Sequence, residues 1–272
     1  MTRVAINGAI LRWAVDRSGL TPEALERKFP KIRQWEKGES QPTLRQLEAL
    51  AKATLAPLGF FFLAEPPVER LPVPHFRTLR EEAPTKPSPN LLENFHMMEQ
   101  RQAWMREYLV EQVKEQLPFV RSARVGEIPQ AVADRIRRTL GFEEGWAARL
   151  PTWREASRAL REAMESTGIL VVVNGIVGNN TRRKLDPDDF RGFVLVDEYA
   201  PLVFVNGADG KAAQMFTLAH ELAHVSFGSS AATVSSPRCG VMYFVPVSSL
   251  TFSKFQKEKL LKCGHTRRAF MT

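Results

Sequence analysis

Apolar side chains recur at three- and four-residue intervals through the first fifty residues, which predicts a run of short amphipathic helices. A first helix is expected over residues 8–17, with Ile10, Trp13 and Ala14 on one face and Gly19 ending it. Thr21-Pro22-Glu23 then supplies an N-cap, a first-turn proline and an early carboxylate for a second helix that turns Leu25 and Phe29 inward. Ile32 and Trp35 mark a third, which Gly38 interrupts. A fourth follows Pro42-Thr43, with Leu44, Leu47, Leu50 and Ala51 at helical spacing. Seven of the eighteen prolines fall between positions 66 and 89, so an extended linker is expected over 67–89. Helical periodicity resumes over 90–117, 127–140 and 152–167, the last with Thr152 as a plausible N-cap.

The pattern then changes period. Residues 169–173, 192–197 and 201–206 are short runs rich in Val, Leu, Ile and Phe, bounded by Gly, Pro, Asn and Asp, and they read as buried strands. After them, residues 211–228 contain no proline and no internal glycine, carry Met215, Leu218, Leu222 and Val225 at helical spacing, and stop at Gly228. The fold class expected is α+β: a small N-terminal helix-turn-helix-like unit, a helical middle region, and a small β-sheet packed on this helix.

That helix carries His220-Glu221-Leu222-Ala223-His224. Residues four apart share a helix face, so both imidazoles can reach one metal ion while the Glu221 carboxylate stands beside it. Two neutral nitrogen ligands and an adjacent general base are part of what a zinc hydrolase requires, and two histidines alone make a weak site.

Composition sets limits. The 272 residues, 44% of them hydrophobic, suffice for one large domain or two small ones. The longest apolar stretch, ten residues from Leu55 to Ala64, contains a Pro and a Gly and is far short of a membrane span, so no membrane partner is expected. Asn7 and Arg12 break the first apolar run, which argues against a signal peptide. Cys239 and Cys263 are the only cysteines and make no disulfide framework; a cytoplasmic protein is the expectation. The net charge of +8 is uneven: residues 229–272 hold seven basic side chains and one acidic, a net of +6, and open with Ser229, Ser230, Ser235 and Ser236. This tail is compositionally foreign to the body.

Residues 32–44 resemble the recognition-helix exit of phage-repressor-type helix-turn-helix proteins. Only residues 30–34 separate Phe29 from Trp35, however, and they offer little beyond Lys31, Arg33 and Gln34 to base edges. A structural or protein-docking role is favoured over sequence-specific DNA binding.

Several segments in order resemble the ImmA/IrrE family of metallo-endopeptidases with an N-terminal helix-turn-helix unit: Trp35-Glu36-Lys37-Gly38-Glu39, Phe60-Phe61-Phe62 followed by Glu65-Pro66-Pro67, Phe76-Arg77-Thr78, Gly192-Phe193, and residues 216–224. The resemblance implies a bacterial or phage-borne cytosolic enzyme that cleaves a transcriptional repressor, antitoxin or related regulator. It implies a helix-turn-helix-like domain at 1–66 and a metallopeptidase domain at 90–228; residues 229–272 depart from it as a divergent basic tail. His220 and His224 would be zinc ligands and Glu221 the general base, with substrate extended along a sheet edge near residues 193–197 or 202–205. Family members add a third ligand, a glutamate some thirty residues beyond the motif, but here no acidic residue occurs from Ser229 to Lys257. Glu258, Cys239, Cys263 and His265 are the available substitutes. Either Glu258 completes the site, or an unrelated tail has replaced the ligand-bearing helix; composition favours the second. The competing function is a catalytically inactive DNA-binding or repressor-docking regulator.

Overall fold

The computed structural model describes residues 3–69, 87–124, 126–229 and 231–233. They form two compact units. The first comprises residues 3–69 with 87–96, the second residues 97–124, 126–229 and 231–233.

The first unit is built from α1 (Gly8–Ser18), α2 (Pro22–Lys28), α3 (Ile32–Glu36), α4 (Leu44–Thr54) and a 3-10 turn at Leu58–Phe62. Local chemistry sets the helix ends. The Asn7 side chain accepts from Ala9 N, Gly19 closes α1 at φ 66°, and the Thr21 hydroxyl accepts from Ala24 N. At α4 the capping box is complete, with Thr43 and Gln46 bonding each other's backbone N–H. Ile10, Leu25, Trp35, Leu47, Leu50 and Phe61 fill the core. α3 is only five residues long and follows α2 after three residues. Its Arg33 is ion-paired with Glu26, across from α2.

α5 (Pro89–Glu111) gives its first turns to the first unit and the rest to the second. It ends earlier than the periodicity over 90–117 suggests, because Val113 adopts a left-handed φ of 53° and Lys114 N folds back onto Leu109 O. The second unit continues with α6 (Pro129–Thr139), a 3-10 turn at Trp146–Arg149, and α7 (Trp153–Ser166), whose N-cap is Thr152 as expected. Six strands follow in chain order, β1 (Leu170–Asn174), β2 (Ile176–Val177), β3 (Asn180–Lys184), β4 (Gly192–Leu195), β5 (Leu202–Asn206) and β6 (Ala231–Thr233); α8 (Lys211–Phe227) lies between β5 and β6.

Four strands form one sheet in the order β1-β5-β4-β6. β1 and β5 are parallel, while β4 is antiparallel to both β5 and β6. One face of the sheet packs on α7 and α8 through Val194, Val203 and Val205 against Met164, Leu218 and Leu222. On the other face Phe193 stacks on Phe204, ring centroids 4.9 Å apart, with Phe190 beside them. All three rings are buried. Gln102 of α5 donates to both Leu195 O and Ala200 O, and Arg106 pairs with Asp197, so the connection from β4 to β5 is held from both ends. Asp197 also accepts from Tyr199 N and Ala200 N; this side-chain turn ends β4 before the run 192–197 is complete.

The sheet order corrects the expected substrate path. Residues 202–205 belong to β5, which is paired on both sides, and the outer edge of β4 is taken by β6 in the register Gly192↔Thr233, Phe193↔Ala232, Val194↔Ala231. β5 offers no open edge, nor does β4 over residues 192–194. Two elements escaped sequence reading. β3 is Asn-Thr-Arg-Arg-Lys, largely exposed, and pairs with β2 without any apolar alternation to announce it. β6 lies in the segment that composition had assigned to the tail.

Candidate metal centre

α8 starts at Gly210 and is tied down over its first turn by Gln214, whose amide donates to Gly207 O and Asp209 O. Gly228 closes it at φ 73°, its N–H directed to His224 O and Val225 O. A Cβ at Gly228 would stand 2.3 Å from Arg121 Cγ, so this turn needs glycine for both conformation and room. Between the two ends, most of the helix is buried against α7 and the sheet.

The three motif residues come together. His220 Nε2 and His224 Nε2 are 3.2 Å apart, with ring centroids at 4.8 Å and planes inclined by 75°. Two nitrogens bound tetrahedrally to one zinc ion at the usual bond length would be about 3.3 Å apart. The pair therefore fits a single ion. His224 Nδ1 lies 3.0 Å from Ser229 Oγ, whereas His220 Nδ1 is buried with no hydrogen-bond partner among the described residues. Burial lowers the pKa of His220 below its ordinary value and so favours the neutral ring, the form that can donate a lone pair to a metal. Phe216 lies along the His220 ring at 6.3 Å between centroids.

Glu221 is fully buried, and Gly192 of β4 lies close to it. A Cβ placed on Gly192 would come 2.5 Å from Thr217 Cγ2, 2.7 Å from Phe204 O and 3.5 Å from Glu221 Oε1. The missing side chain lets β4 pack directly on the middle of α8. Neither this role of Gly192 nor that of Ser229 was legible in the sequence, although a glycine opening a buried strand is a sign of close backbone approach.

Among the described residues, no group of three or more His, Cys, Asp or Glu side chains is placed to hold a metal ion. Glu258, Cys239, Cys263 and His265, the proposed substitutes for a third ligand, lie outside the described residues, as does Phe76-Arg77. Among the described residues, no helix is long and apolar enough to cross a membrane.

This constellation sits on a helix packed against a mixed sheet, and the segment that contains it resembles a metallopeptidase-type family. Residues 164–238 match the family model Peptidase_M78, described as an IrrE N-terminal-like domain, and over this segment the chain is similar to the ImmA/IrrE family. No curated protein and no solved structure matches it. The match includes β6 and runs to residue 238, so residues 229–238 fall inside the family segment even though their composition suggests a foreign tail.

Proposed function

We propose that this protein is a cytoplasmic zinc-dependent endopeptidase whose substrate is a transcriptional repressor, an antitoxin or a related regulatory protein. The supporting observation is the 3.2 Å separation of the His220 and His224 Nε2 atoms on the same helix as the buried Glu221 carboxylate, all within the family segment. His220 and His224 would hold the ion through Nε2. Zinc in such a site supplies Lewis acidity, polarising a scissile carbonyl and acidifying water. Glu221 takes up the proton of the attacking water and returns it to the leaving amine. The burial of His220 favours its neutral ring, and the dry surroundings of Glu221 strengthen the electrostatics of its carboxylate. Because β6 occupies the outer edge of β4, an extended substrate running beside α8 adds to the outer edge of β6 by main-chain hydrogen bonds.

The test is zinc content and cleavage of full-length protein. About one tightly held zinc per chain, lost in His224→Ala, is expected. Glu221→Gln should keep the zinc and lose cleavage by several orders of magnitude. Zinc-loaded protein that cleaves equally well with Gln at 221 overturns the assignment of the base.

One observation favours a second reading, a regulator that binds its partner without cutting: no third protein donor joins the two imidazoles among the described residues. A Glu258→Ala variant separates the two. Loss of zinc in that variant means that Glu258 completes the site; starting protein that binds no zinc means a docking or DNA-binding role alone. In the latter case the helical unit within residues 1–66 would carry recognition.

A further inference from the structure

We propose that Ser229 is the positioning residue of the metal site, holding the His224 ring in the tautomer and orientation that present Nε2 to the ion. This deepens the reading of residues 220–224 as a metal-binding motif and rests on it.

The argument starts at the helix end. Gly228 takes the left-handed conformation that ends α8, and Ser229 N then donates back to His224 O at 3.2 Å. This reversal returns Ser229 to the last turn of the helix, where its Oγ stands 3.0 Å from His224 Nδ1. The placement is over-determined from outside the helix as well. Arg121 N and Ala123 N donate to Val225 O and Ser226 O, at 3.2 and 2.9 Å, and the Arg121 side chain fills the space beside Gly228.

The proton arrangement follows from counting donors. Two contacts form a chain: Ser229 Oγ to His224 Nδ1, then His224 Nε2 to His220 Nε2, with His220 Nδ1 buried at the far end. If the serine donated to Nδ1, His224 Nε2 would carry its proton toward His220 Nε2, and His220 would be left with a buried N–H at Nδ1 that no described residue accepts. If instead His224 Nδ1–H donates to Ser229 Oγ, His224 Nε2 is the acceptor of His220 Nε2–H, and the group left over is a lone pair. A buried orphan N–H is the costlier of the two. The second arrangement is therefore adopted, and it leaves the lone pair of His224 at Nε2, on the side facing His220. The two imidazoles thus differ: His224 is oriented from behind by a hydroxyl at Nδ1, as metal-binding histidines commonly are by a second hydrogen bond, while among the described residues His220 Nδ1 has no such partner.

The experiment uses full-length protein and two serine variants, Ser229→Ala and Ser229→Thr, each checked for an unchanged thermal unfolding midpoint. The 15N shifts of the His224 ring in metal-free protein, at a pH where the ring is neutral, report its tautomer; zinc affinity is measured by competition with a chelator. The starting protein is expected to show His224 protonated at Nδ1. Ser229→Ala should shift it toward the Nε2–H form and weaken zinc binding roughly 10- to 100-fold, the range found when such orienting partners are removed. Ser229→Thr, which keeps the hydroxyl, should restore both. An unchanged tautomer in Ser229→Ala, or a changed tautomer with unchanged zinc affinity, overturns the proposal. If the starting protein binds no zinc, it is the metalloprotein reading that falls, and the tautomer shift still shows whether Ser229 orients the ring.

Discussion

Gly192 has no space for a side chain, and that makes it the residue on which the site geometry turns. The Cβ of an alanine would meet the Thr217 methyl and the Phe204 carbonyl at distances well inside van der Waals contact, and both belong to packed elements. Gly192→Ala is expected to destabilise the protein by about 1–3 kcal/mol, the usual cost of overpacking a filled core. Zinc affinity should fall with it, because pushing β4 off α8 displaces the helix segment that carries Glu221. Denaturant unfolding with a parallel zinc titration measures both; an alanine variant with unchanged midpoint and affinity would mean that the two layers can separate freely. At the same scale, His220 and His224 were identifiable from their spacing alone, since positions i and i+4 must share a helix face. Ser229 was not, because what joins it to His224 is a turn through Gly228 and not a repeat.

Among the elements, α6 shows how charge is organised locally. Glu127 precedes the helix and receives a hydrogen bond from the Arg135 side chain at 2.8 Å and another from Arg124 N. The Arg135 bond is the largest cause holding the Glu127 carboxyl below its ordinary pKa, and the Arg124 N–H bond comes next. The sign follows: a carboxyl with a depressed folded-state pKa binds fewer protons when folded than when unfolded. Its stabilising contribution is complete above the unfolded value and disappears as pH falls through the folded one. NMR titration of Glu127 should give a midpoint below the ordinary glutamate value, moving upward in Arg135→Gln. An unmoved midpoint would assign the effect to the Arg124 backbone bond. The helix boundaries of the first unit were largely legible because capping is local: Gly19, Thr21 and Thr43 act on backbone groups two to four residues away. The five-residue α3 was harder to read, since a single helical turn carries almost no periodicity.

Across the whole molecule the balance of charge is lopsided, and the family segment marks where the imbalance begins. Residues 239–272, beyond the match to the IrrE N-terminal-like domain, hold six basic side chains and one acidic, a net of +5 out of +8. Any affinity for duplex DNA is expected to be independent of sequence and to fall linearly with salt on a log–log scale. Truncation after residue 238 retains β6 and should flatten that slope. A slope unchanged by truncation, with preference for one operator sequence, would instead assign DNA recognition to the helices within residues 1–66.

What the sequence determined by itself was whatever depends on neighbours along the chain: the capped helices, the β-branched strands, and a histidine pair brought to one face by the pitch of one helix. The ImmA/IrrE resemblance is of the same kind, being carried by contiguous motifs, and the match over residues 164–238 bears it out. Only the tertiary structure decided which strand lies beside which. β5 is central because it pairs with β1 and β4, and β6, three residues without a distinctive pattern, closes the β4 edge from the far side of α8. The polar β3 was invisible for a related reason, since its pairing rests on backbone hydrogen bonds that any side chain permits. Strand order, the fit of Gly192 against Glu221 and the reach of Ser229 to His224 all join groups across separate elements or around a turn, and the physical forces that fix them act only once the chain has folded.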